Sequence, residues 1–530
     1  MTKSVMKRSF GRTPEANINR SSFDRSHGYK TVFDAGYLIP IYVDETLPGD
    51  TFNLNMNAFA RLATPIHPIM DNIFLDSFFF AIPKRLVWDN WQKFNGEQDN
   101  PGDSTDFVIP KMTSPAGGYA EQSVHDYLGL PTKVPGLEHS ALIHRAMNLT
   151  WNTWFRDENL QDSLTVNKGD GPDDPADYTL LKRGKRPDYF TQSLPWPQKG
   201  DSVSLPLGTS APVLGIGTVS QVYNAPDANV YETDGSGTTT YADWVGMEET
   251  ASNHVLMEMD PNSSGYPNVR ADLTNATAAT INQLRQAFAA QELFERDARG
   301  GSRYVEIIKS HFGVTSPDQR LQRPEFLGGG STPISISQIA QTSSTDATTP
   351  QGNLSAFGLA GMQGHGFTKS FTEHCIIIGF VSARADLTYQ QGLDKMWSRS
   401  TRLDHYWPTF AHIGEQAVLN KEIYAQGSGD LAADAAVFGY QERHAEYRSK
   451  NSKVTGLFRS NATASLDAWH LSQEFTSLPA LNSAFIEETP PLDRCIAVPS
   501  EPHFIFDSYI GLRCARPMPM YGIPGFGRTL

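Results

Sequence analysis

The stretch Thr51-Phe-Asn-Leu-Asn-Met-Asn-Ala-Phe59 decides the fold, because polar and apolar residues alternate along it up to position 58. In an extended chain the apolar residues at positions 52 to 58 fall on one side and the asparagines fall on the other. This period of two predicts a β-strand with one buried face and one wet or partnered face. The turn sequence Pro48-Gly-Asp50 directly precedes it.

Neighbouring stretches extend the same pattern. Residues 73–82 are apolar at odd and even positions alike, which is typical of a strand covered on both faces. Residues 503–514 alternate again near the end of the chain. The sequence therefore predicts an antiparallel β-sandwich of jelly-roll type. Its strands are predicted within residues 29–82, 368–387, 438–450 and 503–514.

The middle of the chain has helical and loop character. Residues 140–159 place Ile, Met and Trp at helical spacing, and residues 280–299 begin with a capping-box pattern and end before two glycines. Residues 303–312 predict a further, shorter helix. Because residues 331–366 are rich in Ser, Thr and Gly, they are interpreted as loop, and Gly328-Gly-Gly330 as a tight loop.

The composition narrows the class of protein. The chain has 530 residues, a formal net charge of −14, 43 glycines and 34 prolines, which indicates a core with much turn and loop. Cys375, Cys495 and Cys514 are far apart and odd in number, so we expect buried free thiols rather than disulfides or a cysteine zinc site. No signal peptide or membrane-spanning run is visible, and a reducing cytoplasm is the expected place of synthesis.

Positive charge is concentrated in two places. The first thirty residues hold seven basic residues against two acidic ones, and a second cluster occupies positions 182–186. Both are candidate contacts for the phosphates of a nucleic acid, which basic arms bind without sequence specificity. A solvated tail and a loop paired with nearby acids remain the alternatives. The candidate residues for contact with a nucleic acid are Lys3, Lys7, Arg8, Arg12, Lys182, Arg183, Lys185 and Arg186.

A third segment has the opposite charge. Residues 200–269 contain nine acidic residues and no Lys or Arg, and they are rich in Gly, Ser, Thr and Asn. This abrupt shift predicts an inserted module rather than part of the main core. The predicted division of the chain is a basic arm (1–28), a first jelly-roll part with a helical insertion (29–199), an acidic surface insertion (200–275) and a second jelly-roll part with long loops (276–530).

The sequence offers no catalytic constellation, and we expect neither an enzyme nor a cofactor. GxSxG, HExxH and Walker motifs are lacking. The aspartate-rich residues 170–177 carry carboxylates that suit a divalent cation but lack the ligand order of an EF-hand, so a solvated turn is the preferred interpretation and no metal is predicted. Glu487 and Glu488 are adjacent, and adjacent carboxylates on a strand face opposite ways.

Several longer motifs carry a family resemblance. They are Phe33-Asp-Ala-Gly-Tyr-Leu-Ile-Pro-Ile-Tyr-Val-Asp-Glu45, Leu47-Pro-Gly-Asp-Thr-Phe52, Arg85-Leu-Val-Trp-Asp-Asn-Trp91 and Glu295-Arg-Asp-Ala-Arg-Gly-Gly-Ser-Arg-Tyr304. With them the chain resembles the F-protein family of major capsid proteins of the Microviridae, the small single-stranded-DNA phages, and most closely the gokushovirus branch. The resemblance covers nearly the whole chain outside residues 200–275.

The resemblance implies a viral jelly roll, an eight-stranded antiparallel sandwich or barrel, that assembles with copies of itself into a T=1 icosahedral shell. The shell would enclose a circular single-stranded DNA genome together with a small internal DNA-binding protein and a DNA pilot protein. It also implies virion localisation, assembly in the host bacterial cytoplasm and no membrane insertion. The insertion would project at the three-fold axes and meet a host receptor, with candidate residues Asp227, Tyr231, Asp234, Tyr241 and Trp244. Of these, Tyr241 and Trp244 would pack copies together, and residues 227–237 would form the exposed tip. A solvated loop without a receptor role is the alternative.

A second hypothesis is a carbohydrate-binding or carbohydrate-cleaving β-sandwich protein. Its aromatic residues and scattered carboxylates are compatible with the sequence. The absence of a secretion signal and the basic N-terminal arm count against it. Particle size discriminates between the two hypotheses, since a shell is a megadalton assembly and a sandwich enzyme is a small oligomer.

Overall fold

The computed structural model describes residues 19–203, 213–214, 216–217, 256–257, 270–271, 281–315, 320–343, 345 and 350–521. The chain divides into two compact units, one formed by Met1–Pro197 with Gly300–Leu530 and the other by Gln198–Arg299. The basic-arm residues Lys3, Lys7, Arg8 and Arg12 lie outside the described residues, as do the five candidate residues of the acidic insertion.

Eight long strands build the first unit, and we label them β1 to β8 in chain order. They are β1 His27–Phe33, β2 Ile39–Thr46, β3 Thr51–Leu62, β4 Ile73–Pro83, β5 Glu325–Pro333, β6 Leu354–Ser370, β7 Cys375–Ala385 and β8 Phe504–Arg516. One antiparallel sheet has the order β1-β8-β3-β6, and the other has the order β5-β4-β7-β2. This is the strand order of a jelly roll, as predicted, in a sandwich that does not close into a barrel.

The predicted pairing of the chain ends is confirmed by the register of β3 and β8. Phe504 pairs with Leu62 and Ala515 pairs with Thr51, so the two strands match over their whole length. Along β3 every even-numbered residue is buried. The asparagines therefore face away from the core, and the period-two pattern that predicted the strand also fixes its register.

Strand β4 separates two hydrophobic clusters, as its two apolar faces predicted. Ile73, Leu75 and Phe79 pack inside the sandwich against the other sheet. Phe80 and Ile82 face the opposite way and pack under a helical layer with Trp88. Burial of these side chains on both faces gives roughly 25 cal/mol of stabilisation per Å² of apolar surface.

The interpretation of residues 331–366 as loop is wrong for most of this stretch, because β5, the shorter strand Ser335–Ala340 and β6 occupy its two ends. The glycines that suggested loop permit close contact between strands. A Cβ on Gly329 would lie 2.0 Å from the Ser77 carbonyl oxygen, and one on Gly330 would lie 2.7 Å from the His365 ring. Gly328-Gly-Gly330 is therefore part of a strand and not a tight loop.

The predicted helices are present with adjusted ends. They are α1 Leu142–Trp154 and α3 Tyr304–Phe312 in the first unit and α2 Ile281–Arg299 in the second. Helix α1 ends five residues before the predicted position 159, since the Asp157 carboxylate accepts hydrogen bonds from the backbone N–H groups of Asn159 and Leu160 and favours a turn. Gly313 ends α3 in the left-handed conformation, at φ 69°.

The prediction of a sandwich strand at residues 438–450 is wrong. The strand here is Val437–Glu442, and it pairs with Glu415–Leu419 in a separate two-stranded sheet. It stops before His444, which takes the left-handed conformation, and Ala445–Tyr447 forms a 3-10 turn.

The remaining helices and strands are short. The helices are Trp91–Phe94, Val124–Tyr127, Asn420–Ile423, Leu431–Ala435 and Ser483–Ile486. The strands are Ser21–Asp24, Lys111–Thr113, Glu138–Ser140, Val213–Leu214, Ile216–Gly217, Leu256–Met257, Arg270–Ala271, Thr388–Tyr389 and Ser452–Lys453. None of the helices in the described ranges has the length and apolar character needed to cross a bilayer.

Candidate nucleic-acid interface

The predicted basic cluster at positions 182–186 lies on an extended segment held on both sides by backbone hydrogen bonds. The Arg183 N–H donates to the Gly36 carbonyl, and the Lys185 N–H donates to the Ile486 carbonyl at 2.7 Å. The segment is thereby fixed between the start of the sandwich and a late loop of the chain. Its side chains have defined surroundings rather than the freedom of a solvated loop.

Two of the four cations are committed to partners inside the protein. The Arg183 guanidinium lies 2.6 Å from the Asp76 carboxylate, which the Arg384 guanidinium also contacts at 2.6 Å. Burial alone would raise the pKa of Asp76, but hydrogen bonds from Ser331, Arg183 and Arg384 outweigh it and lower that pKa. The Lys185 ammonium donates to the Phe485 carbonyl at 2.6 Å, and burial lowers its pKa.

The other two cations are closer to solvent. Lys182 lies 4.0 Å from Glu487, and its side chain is 25% exposed. Arg186 lies 3.0 Å from Asp386 with half of its side chain exposed. Of the four residues, Arg186 has the most open path to a phosphate, and DNA contact by this cluster remains a prediction.

An aromatic cavity lies beside Arg183 and Lys185. Its volume is about 380 Å³, and its aromatic walls are Phe78, Phe80, Trp154, Phe155 and Phe326. Sequence reasoning missed this cavity, because its walls come from three separate parts of the chain. The Trp154 indole N–H donates to the Pro324 carbonyl, and the Arg323 guanidinium lies 5.0 Å from the Trp154 ring. A ring held in this way offers a fixed apolar surface to a planar group.

Carboxylates of the aspartate-rich residues 170–177 bind separate partners within the protein and do not converge on one point. Asp173 forms a two-pronged ion pair with Arg145, with contacts of 2.7 and 2.6 Å, and both side chains are almost fully buried. The Tyr178 hydroxyl donates to the same carboxylate at 2.6 Å. Asp170 accepts from the Trp88 indole N–H, and Asp174 caps a 3-10 turn. Within the described ranges no cluster of His, Cys, Asp or Glu is arranged to hold a metal ion.

A histidine cluster adjoins this ion pair, and no pattern in the sequence pointed to it. The Nδ1 atom of His125 lies 2.9 Å from the Nε2 atom of His144, and the Tyr119 hydroxyl lies 2.7 Å from the Nε2 atom of His139. Burial lowers the pKa of His125 to about 4 and holds the pKa of His144 well below its usual range. Both rings are therefore neutral at physiological pH.

The remaining titratable groups singled out by the sequence are also built into the structure. Glu488 is buried, accepts a hydrogen bond from the Ala385 N–H at 3.3 Å and has its pKa raised by burial, whereas the adjacent Glu487 is partly exposed. All three cysteines are free and buried, as predicted. Burial raises the pKa of Cys375 to about 12 and that of Cys495 to about 11, so these thiols are poor nucleophiles.

Comparison with known proteins gives matches over nearly the whole chain. The family model described as "Capsid protein (F protein)" matches residues 12–526. The chain is 51% identical to capsid protein VP1 of Bdellovibrio phage phiMH2K, over 98% of each chain. It is 48% identical to capsid protein VP1 of Chlamydia phage 1, over 99% of this chain and 98% of that one. It is 35% identical to the VP1 of Spiroplasma virus 4, over 97% of this chain and 96% of that one.

Proposed function

This chain belongs to the F-protein family of phage capsid proteins in the Microviridae, and from that premise we propose that it forms a T=1 icosahedral shell around a circular single-stranded DNA genome. As a capsid protein it is a structural component of the virion that assembles with copies of itself. The observation that carries the proposal is the family match from residue 12 to residue 526, on a chain folded as a jelly roll.

The surface of the first unit supports assembly with neighbouring copies. The two connections that follow β4 and β7 are far longer than usual loops, and they expose large apolar side chains. Trp397 is 70% exposed, Leu431 is 71% exposed, and Tyr304 and Phe312 are each 77% exposed. Burial of each of these side chains against a neighbouring copy would remove apolar surface from water, which is favourable. In the proposal, contacts between copies cover them.

The proposed roles of the segments follow from their charge. The arm with Lys3, Lys7, Arg8 and Arg12 would neutralise phosphates on the inside of the shell. Of the second cluster, Lys182 and Arg186 would add phosphate contacts, because Arg183 and Lys185 are held by partners inside the protein. The acidic insertion would face outwards, because nine carboxylates near an enclosed polyanion would be repelled by it.

The insertion is proposed to meet a receptor on the host cell, through Asp227, Tyr231, Asp234, Tyr241 and Trp244. The further proposed partners are a small internal DNA-binding protein and a DNA pilot protein, with assembly in the host bacterial cytoplasm. The role is structural, and no catalytic step is assigned to any residue.

Sedimentation and nuclease protection test the proposed function. Particles from infected or expressing cells are separated by sedimentation, imaged by electron microscopy and treated with DNase before their nucleic acid is extracted. We expect icosahedral particles of one size, with circular DNA that a single-strand-specific nuclease digests after extraction. Small oligomers without protected DNA would contradict the proposal.

A further inference from the structure

The outward face of the β1-β8-β3-β6 sheet carries residues that the core does not use. Asn53, Asn55 and Asn57 occupy alternate positions of β3, and all three are exposed. Phe59 continues the row with 51% exposure, and Tyr509 on β8 is 56% exposed. Because Tyr509 pairs with Asn57, the two aromatic rings are diagonal neighbours on this face. The face therefore combines a row of amides with two exposed rings.

Glycines keep the middle of this face open. Asn55 pairs with Gly511 on β8 and with Gly366 on β6, so neither directly paired residue has a side chain, and the Tyr509 ring extends over Gly511, 3.8 Å from where its Cβ would stand. Gly361 pairs with Phe59, and the space where its Cβ would stand is empty to 4 Å. An open groove of about 540 Å³ results beside the two rings, and its lining includes Asn57, Phe59, Gly361, Gln363, Asp507 and Tyr509.

Positive charge lies towards both ends of this sheet face. Arg61 follows Phe59 on the outward side of β3, and Arg513 pairs with Asn53 from β8. Both are exposed, and neither lies within ion-pair distance of a carboxylate among the described residues, although the charge of Arg513 contributes to the lowered pKa of Asp24. Their guanidinium groups are thus available to bind phosphates.

The other charges on this face leave an excess of cations. They are the cations Arg20 and Lys30 and the carboxylates Asp24 and Asp507. The Arg20 guanidinium donates to the Thr51 hydroxyl, and Lys30 lies 3.6 Å from Asp507. Asp24 is the cross-strand neighbour of Arg513. Four cations and two carboxylates thus share this face, although the chain as a whole has a formal charge of −14. The local charge favours a polyanion.

We propose that this sheet face binds the single-stranded DNA itself, with bases stacked on Tyr509 and Phe59 and phosphates paired with Arg61 and Arg513. The asparagine amides supply both donors and acceptors to base edges. Stacking on aromatic rings tolerates any base, as a packaged genome requires. The proposal rests on the proposed function, because it assigns the genome contact of the shell to a particular surface.

A second protein copy is the less fitting occupant. An interface core is depleted of unpaired polar groups, and each asparagine amide taken out of water without a partner costs free energy. Nucleotides, in contrast, present hydrogen-bonding groups along their whole length.

The test compares full-length variants that differ only on this face. Tyr509→Ser with Phe59→Ser removes both rings, and Ile505→Ser is the matched control, since Ile505 lies on the same face and is 58% exposed but aliphatic. Affinity of free subunits for a fluorescent oligothymidylate is measured by anisotropy at fixed salt. We expect a loss of about tenfold or more for each ring removed. The control and Tyr509→Phe should bind like the unchanged protein.

Photo-cross-linking of bromodeoxyuridine-labelled particles provides the second measurement, and cross-links are expected on Tyr509 and Phe59. Unchanged oligothymidylate affinity of the double variant would overturn the inference. The inference would also be overturned if the double variant and Ile505→Ser lost assembly equally while both kept their affinity for oligothymidylate. The face would then be an interface between copies. Particles that protect DNA but cross-link only elsewhere would overturn this inference and leave the proposed function standing, whereas particles without DNA would overturn the proposed function.

Discussion

The Nδ1 atom of His365 lies 2.7 Å from the hydroxyl oxygen of Ser77, so a hydrogen bond joins the two sheets inside the sandwich. The other ring nitrogen lies 3.1 Å from the Thr332 hydroxyl. His365 projects from β6, whereas Ser77 and Thr332 belong to β4 and β5. The imidazole thus bridges three strands, and burial lowers its pKa and favours the neutral ring.

Gly330→Ala is expected to destabilise the sandwich through this bridge. The new Cβ would lie 2.7 Å from the His365 ring, closer than carbon atoms approach without strain. Overpacking of this kind costs about 1–3 kcal/mol. The measurement is the urea midpoint of the free subunit. Gly361→Ala is the control, since its Cβ would meet no atom within 4 Å, and equal midpoints for the two variants would contradict the prediction.

Strands with large side chains could be predicted from the sequence, whereas strands rich in glycine could not. Strands β3 and β8 were predictable because large apolar residues alternate with polar ones. Strands β5 and β6 were missed because glycine holds the positions where backbones meet, as at Gly329 against Ser77, and glycine gives no periodic signal. The pattern of polar and apolar residues along a strand indicates which of its faces is buried. It does not indicate how closely the backbone of a neighbouring strand approaches.

The candidate site was less predictable for a related reason. The charges of Lys182–Arg186 were plain in the sequence, but their partners are distant in the chain. Arg183 contacts Asp76, 107 residues away, and Lys185 contacts the Phe485 carbonyl, 300 residues away. Whether a cation is committed to the interior is decided by the fold, and a single sequence does not display such pairs.

Asp173→Ala is expected to be among the most damaging substitutions outside the sandwich. It would leave the Arg145 guanidinium buried without its carboxylate, since both side chains are at most 1% exposed. An uncompensated buried charge costs about 3–5 kcal/mol. Thermal unfolding of the free subunit measures the loss. Glu121→Ala breaks an ion pair of similar length with Lys133 at the surface and should leave the midpoint nearly unchanged.

Acid is expected to destabilise the subunit through the histidine cluster. Burial lowers the pKa of His125 to about 4 and holds that of His144 well below its usual range, whereas an unfolded histidine has a pKa near 6.5. The unfolded chain therefore binds more protons as the pH falls below about 6.5. The stability that these neutral rings contribute is fully present above that pH and is lost progressively towards pH 4.

Urea unfolding at a series of pH values measures this dependence. Each histidine adds a slope of up to about 1.4 kcal/mol per pH unit between the two pKa values. His125→Gln should flatten the slope in that window relative to the unchanged protein. An identical slope in His125→Gln and the unchanged protein would show that the cluster does not titrate as described.

Neutralising the basic arm is expected to weaken DNA packaging without regard to sequence. In the test, Lys3, Lys7, Arg8 and Arg12 are all replaced by Ser, which removes four cations. The logarithm of the DNA-binding constant falls linearly with the logarithm of the salt concentration. Removing one cation that binds a phosphate should reduce the magnitude of this slope by about one. Packaged DNA per particle and the salt tolerance of filled particles are measured. Normal filling at unchanged salt tolerance would make the arm a tail or a clamp between subunits.

Deletion of residues 224–267, closed with a short Gly/Ser linker, is expected to separate assembly from attachment. The segment lies within residues 200–269, which carry nine carboxylates and no basic residue, and it contains Asp227, Tyr231, Asp234, Tyr241 and Trp244. Because these residues are proposed to lie outside the shell, their loss should leave particles that assemble and protect DNA. The same particles should no longer adsorb to host cells, measured as free phage remaining after mixing.

A matched variant refines this test. Tyr241→Ser with Trp244→Ser keeps the length and charge of the insertion but removes two large side chains proposed to pack copies together. If packing of the insertion presents the receptor surface, this variant should adsorb as poorly as the deletion. Failure of the deletion to assemble would make the segment a structural clamp, and normal adsorption of the deletion would remove the receptor role. Normal adsorption of the double variant alone would instead place recognition on Asp227, Tyr231 and Asp234, because these remain in that variant and are absent from the deletion.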